Sequence, residues 1–157
     1  MGKITPCLWF DDQGEEAADF YVSVFPNSKI GDVARYNEAG PRPAGTVMTV
    51  AFELDGQPFI ALNGGPEFTF SEAISFQVDC SSQDEVDYYW TALSEHGEEG
   101  PCGWLKDKFG VSWQIVPTRL TELVSDPDAA TSQRVMTAML AMGKIDVAAL
   151  ERAAQSG

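Results

Sequence analysis

The side chains in this chain that could do chemistry are few, and the most telling of them is an amide. In WLKDKFGVSWQIVP, residues 104–117, Val111, Trp113 and Ile115 alternate with Ser112, Gln114 and Val116 after an Asp107-Lys108-Phe109-Gly110 turn. This period of two describes a half-buried strand with one apolar face and Gln114 on the other. A carboxamide both donates and accepts, so Gln114 suits either a ligand carbonyl or amide, or a hydrogen bond across its own sheet. The one histidine, His96, stands before Gly97 at the end of a helical stretch, where it suits a helix C-terminus. Cys7, Cys80 and Cys102 are an odd, scattered set without C-x-x-C spacing, which argues against a disulfide framework and a structural zinc site. As nucleophiles Cys7 and Cys102 would need an adjacent base, and with one histidine in the chain they are expected to be buried, inert thiols. The Glu15-Glu16 and Asp84-Glu85 pairs fall in first helical turns, where negative charge meets the helix dipole favourably, so they read as solvated caps.

These residues must be positioned by a chain of 157 residues, 44% of them hydrophobic, enough for one ordinary core or two small modules. A net charge of −14 disfavours nucleic-acid phosphates and anionic membranes as partners. No run approaches the roughly 20 apolar residues that cross a bilayer, and no basic region followed by an apolar signal core opens the chain. Cytoplasmic residence is the expectation.

The pattern repeats. EEAADFYVSVF from Glu15 and DEVDYYWTALS from Asp84 align at a constant offset, with Ala17, Phe20, Tyr21 and Val24 falling on Val86, Tyr89, Trp90 and Leu93. Both segments show an apolar face at helical spacing. Ser82 and Glu85 form an S-x-x-E capping box, and Asp12 with Glu15 is placed to do the same for the first helix. Strands are expected at residues 4–10 and 74–79 before the helices. After the first helix they are expected at 30–37, 46–54 and 57–63, with a hairpin at Asp55-Gly56. After the second they are expected at 101–106 and 111–116, and the repeat adds a short one near 98–100. Asn63-Gly64-Gly65-Pro66 begins the connector between modules. Beyond Pro117 two helices are expected: one capped by Asp126 with Pro127 at its first position, ending near Gly143, and one capped by Asp146 with Ile145 and Leu150 as a hydrophobic staple.

Two strand–helix–strands modules in tandem resemble the paired βαβββ architecture of the vicinal oxygen chelate superfamily, the glyoxalase and bleomycin-resistance group. The strings LWFDDQGEEAADFY, ALNGGPEFTFSEAISFQVDC, DEVDYYW and CGWLKDKFGVSWQIVP, with the later MGKIDVAAL, resemble its PhnB-like subfamily, often labelled 3-demethylubiquinone-9 3-methyltransferase. The resemblance implies an α+β fold: module one at about 4–64, module two at about 72–117, a helical tail at about 118–157, and two curved sheets enclosing a cup within one domain. It also implies a divalent metal held by His and carboxylate ligands, with a glutamate at the place of Gln114.

Alternation asks what stands at the cup positions. If Leu8 and Phe10 pack on the helix, Cys7 and Trp9 face the cup, and so would Asn63, Ser75, Gln77 and Gln114, none of which is His, Asp or Glu. The expected ligand-binding set is therefore Trp9, Asn63, Ser75, Gln77, Trp104 and Gln114, with no metal and no cofactor. For each, ordinary packing or a cross-sheet hydrogen bond is the competing reading. The leading function is a small-molecule-binding protein of this superfamily. The alternative is a metal-dependent isomerase, lyase or dioxygenase drawing on Glu53, Glu67, Glu72 or Asp107. The methyltransferase of the label is weakest, because no G-x-G nucleotide turn occurs in the chain. Open sheet edges and the Met136, Met139, Met142 stripe favour a homodimer as the partner state.

Overall fold

The strand–helix–three-strand order occurs twice, and a helical tail follows. A computed structural model describes residues 2–156. The first module contains β1 (Cys7–Phe10), α1 (Gly14–Val24), β2 (Lys29–Arg35), β3 (Val47–Leu54) and β4 (Gln57–Asn63). The second contains β5 (Ser75–Cys80), α2 (Gln83–Ser94), β6 (Glu98–Glu99), β7 (Trp104–Lys106) and β8 (Ser112–Pro117). The tail contains α3 (Thr118–Val124), α4 (Ala129–Leu140) and α5 (Val147–Gln155), one helix more than expected. The two open sheets have the same topology, β1-β4-β3-β2 and β5-β8-β7-β6. The chain divides into two compact units, residues 1–70 and 71–157.

In the first unit β1 lies parallel to β4, while β3 forms antiparallel pairs with β4 and β2. Asp55 and Gly56 take φ of 50° and 80° between β3 and β4, the left-handed pair that matches hairpin twist. The core is one sheet face against α1: Leu8, Phe10, Phe52, Phe59 and Ala61 meet Ala17, Ala18 and Tyr21. Tyr21 stacks on Phe52 at 6.2 Å, and Phe52 on Phe59 at 5.3 Å. The expected Asp12 cap does not start α1. Gln13 occupies the cap position without a side-chain hydrogen bond.

In the second unit Ser82 Oγ accepts from Glu85 N at 3.2 Å, as the capping box predicts. The Glu85 carboxylate reaches back one residue further than expected and accepts from Ser81 N at 2.6 Å. Val86, Tyr89, Trp90 and Leu93 are buried on α2, and Leu105, Trp113 and Ile115 are buried on the sheet. A separate cluster forms where Val116 leaves that sheet, from Leu120 and Leu123 of α3, Val135 of α4, and Ile145 and Leu150. The Ile145–Leu150 staple is therefore present, and Asp146 Oδ1 accepts from Ala149 N at 3.1 Å. For α4 the cap is Asp128 rather than Asp126. Asp126 Oδ1 accepts from Asp128 N at 2.8 Å, which closes a tight turn around Pro127 and delays the helix. The helix ends at Leu140, before Gly143.

The methionine stripe splits: Met139 and Met142 pack on the tail cluster, while Met136 is exposed beside the exposed Leu140. The expectation of buried thiols fails for Cys7 and Cys102; Cys80 is buried, and burial pushes its thiol up to about 12. Cys7 is exposed because it lies on the β1 face away from α1, and Cys102 is half-buried in a turn.

Candidate functional site

The register of the second sheet decides which side chains share a face. Ser75 pairs with Ser112 and Gln77 with Gln114 across β5 and β8. Trp104 pairs with Gln114 and Lys106 with Ser112 across β7 and β8. Cα partners on adjacent strands point the same way, so Ser75, Gln77, Trp104, Lys106, Ser112 and Gln114 all stand opposite the face that Trp113 and Ile115 present to α2. The four expected site residues of this module are thus on one face, and Gly103 introduces no slip before Trp104.

This face is hydrogen-bonded along β5. Gln114 Nε2 donates to Ser75 Oγ at 2.9 Å, and Gln77 Nε2 donates to Asp79 Oδ1 at 2.8 Å. Toward β7 it opens into a cavity of about 500 Å³, lined by Trp104, Lys106 and Ser112, by Cys102 from the preceding turn, and by Glu72 and Glu98. That volume is within the range of small-molecule sites. Lys106 Nζ lies 3.1 Å from Glu72 Oε1, and the ammonium holds the Glu72 carboxyl below its ordinary range. Glu99, next to Glu98, turns to the helix side, where its Oε1 accepts from Trp90 Nε1 at 3.2 Å.

Ser112 is the anomaly of the site. It is 1% exposed, and among the described residues its Oγ is the only buried side-chain nitrogen or oxygen without a hydrogen-bond partner. A buried hydroxyl with no partner is costly, and such groups are few in native structures. Parity alone, applied to Gln114, would have put Ser112 and Lys106 on this face. A serine and a lysine are ordinary on the solvated face of a strand, so neither residue type marks a site.

The first module's two expected residues separate. Trp9 lies on the β1 face away from α1, and its Nε1 donates to Gly65 O at 2.9 Å. Its ring rests on Gly64, where a β-carbon would come within 2.4 Å of Cζ2, and it meets Phe68 edge-on at 4.9 Å. Asn63 occupies the opposite face, which corrects the expected parity. It pairs with Phe10, is 6% exposed, accepts from Gly14 N through Oδ1 at 2.7 Å and donates to Val47 O at 3.2 Å. Asn63 is therefore the group that replaces the missing α1 cap. The alternation in β4 was ambiguous because Phe59 and Ala61 on one face and Ile60 and Leu62 on the other are all apolar.

The donor set does not fit a glyoxalase-type metal. Among the described residues no three His, Cys, Asp or Glu side chains gather as ligands. Three of the four carboxylates open to reassignment are engaged: Glu53 lies 3.1 Å from Lys29 Nζ, and Glu72 is held by Lys106. Asp107 is buried, accepting from Phe109 N at 2.8 Å, Val111 N at 3.1 Å and Trp113 Nε1 at 2.9 Å. His96, just past α2, is exposed. Among the described residues no helix is long and apolar enough to cross a membrane.

A family model described as 3-demethylubiquinone-9 3-methyltransferase matches residues 2–116. Among solved structures, a PhnB protein from Bacillus cereus that carries the same methyltransferase description is 38% identical, with a TM-score of 0.66, over 74% of this chain and 99% of that one. A protein of Pseudomonas aeruginosa, 20% identical with a TM-score of 0.63, covers 74% of this chain and 98% of its own. The fosfomycin resistance protein FosX of Listeria monocytogenes shares the fold at 12% identity and a TM-score of 0.51, over 74% of this chain and 93% of its own. No curated protein matches.

Proposed function

The chain belongs to the 3-demethylubiquinone-9 3-methyltransferase family, PhnB-like proteins of the vicinal oxygen chelate fold, and from that premise we propose that it binds a small molecule in the cavity of its second module. The unpartnered Ser112 hydroxyl carries this reading. It stands on a cavity wall, paired across the strands with Lys106 and two positions along the sheet from Trp104. A ligand with a flat apolar body and one polar group would cover the indole and complete the hydroxyl's hydrogen bond. Ser75, Gln77 and Gln114 continue the same face and would orient larger ligands. Binding without chemistry needs neither a nucleophile nor a metal. The methyl transfer in the family's description has no part in this reading, since the chain contains no G-x-G nucleotide turn.

A metabolite screen by thermal shift, repeated on Trp104→Ala and Ser112→Ala, tests it. Hits should stabilise the native protein by mass action, and each variant should weaken them about tenfold, the worth of one stacking or hydrogen-bonding contact. Hits that bind both variants as tightly as the parent protein would remove the ligand from this cavity.

The family setting also supports a homodimer. Strand β2 is exposed along its whole length, with Ile30 and Val33 on its surface, and Met136 and Leu140 form an exposed ridge on α4. Unpaired edges and apolar ridges of this kind find twofold partners. Light scattering should give about twice the 17.1 kDa chain mass. A mass of one chain at micromolar concentration sinks the dimer. Three free thiols agree with a reducing, cytoplasmic setting.

A further inference from the structure

The cavity's rim is a turn that its own sheet holds only in part, through Gly100 N donating to Trp104 O at 2.8 Å and Ile115 N to Gly103 O at 2.7 Å. Trp104 N donates to Pro101 O at 3.0 Å, and between them Cys102 and Gly103 take φ of 58° and 85°. Gly103 adopts this geometry freely. Cys102 does not, because its β-carbon crowds the backbone there. A left-handed non-glycine residue persists where its surroundings over-determine it. In a hairpin turn of this kind the central N–H groups point away from the ladder and find no partner within it.

Here the tail captures both. Cys102 N donates to Met142 O and Gly103 N to Gly143 O, each at 2.8 Å, so residues 142–143 lie against the turn like a short extra strand. Three anchors hold that segment in place. Ile145 is fully buried in the tail cluster and abuts Gly103, with Cγ1 3.1 Å from where a β-carbon would stand. Gln83, at the start of α2, donates from Nε2 to Ile145 O at 3.0 Å and accepts from Val147 N at 2.7 Å. Lys144 Nζ lies 2.8 Å from Asp87 Oδ1. The segment lies beyond residue 116, where the family match ends.

We infer that residues 142–145 are a positioning element of the binding cavity, holding the 101–104 turn so that Cys102 and Trp104 line it, and that ligand affinity depends on this tail although the tail does not touch the ligand. The inference rests on the proposed binding at this cavity, but its structural half can be read without a ligand. Cys102 reports on the turn, and exposed Cys7, in the other unit, serves as an internal reference.

The test replaces Gln83 by methionine and, in a second variant, both Gln83 and Lys144 by methionine, which removes the polar anchors and keeps Ile145. Amide exchange at Cys102 and Gly103, the rate of Cys102 labelling by an aromatic disulfide relative to Cys7, and the affinity for 1-naphthol as a flat probe are measured on each. In the double variant exchange and relative labelling should each rise about tenfold, and naphthol affinity should fall about tenfold, for the loss of hydrogen bonds worth that factor. Restoring Gln83 alone should recover most of all three. If the amides at 102 and 103 deprotect while naphthol binds unchanged, the positioning role is overturned. If neither amide deprotects, the tail is not what holds the turn, and the inference falls as well. Failure of naphthol and of every screened metabolite to bind the parent protein would refute the proposed function, whereas the exchange and labelling results would still decide whether the tail sets the turn.

Discussion

Asp107→Ala should destabilise the protein by about 3–5 kcal/mol, one of the two largest single-residue effects expected here, because three donors lose their acceptor at once. Asp107 is 3% exposed, and its two carboxylate oxygens accept from Phe109 N, Val111 N and Trp113 Nε1. The backbone bonds Asp107 N to Val111 O and Gly110 N to Asp107 O, both 2.9 Å, close the same turn but cannot satisfy the indole. The buried carboxylate is held by three hydrogen bonds, and alanine leaves the donors unpaired instead of replacing the whole network by apolar groups. Asp107→Asn should cost roughly half as much, since its carbonyl keeps the two backbone donors while its NH₂ faces the indole N–H. Combining Asp107→Ala with Trp113→Phe should recover about 1–2 kcal/mol, the penalty of the stranded indole donor. Urea denaturation followed by circular dichroism measures all three, and a loss below about 1 kcal/mol for Asp107→Ala would show that the turn is held by its backbone alone. The hairpin at stake carries Trp104, Lys106 and Ser112, so its integrity precedes any binding.

Ile145→Ala is the second large effect. Ile145 is fully buried among Val116, Leu120, Leu123, Val135 and Leu150, where three helices and the end of β8 meet. Deleting three buried carbons from such a site costs about 3 kcal/mol, of which the larger part is lost apolar burial and the rest the cavity left behind. At roughly 2–4 °C per kcal/mol for a chain of this size, Tm should fall by roughly 6–12 °C. Ile145→Val, which removes one methyl group, should cost about 1 kcal/mol. If Ile145→Ala melts within about 2 °C of the parent, the tail is loosely docked, and the brace inferred for the 101–104 turn rests on its polar anchors alone.

The repeated helix faces, the Asp55-Gly56 hairpin, the Ser82 cap and the Ile145–Leu150 staple were legible in the sequence because each depends on residues a few positions apart. The same holds for Gln114 and Trp104, which follow from alternation on strands where one face is distinctly apolar. Asn63 was misplaced because both faces of β4 are apolar, so only its pairing with Phe10 in the parallel register shows which way it points. Asp12 and Asp126 carry the side chains that favour caps. Yet Asn63, 49 residues away from Gly14 in sequence, took the first role, and a two-residue turn shifted the second to Asp128. The stranded Ser112 hydroxyl, the split of the methionine stripe and the backbone pairing of residues 102–103 with 142–143 had no local signature. What the sequence determines by itself is what neighbouring residues settle through helical or strand periodicity and turn chemistry. Which polar groups find partners, and which one is left without, is decided only when distant segments pack, because a hydrogen bond depends on positions in space that no local pattern specifies.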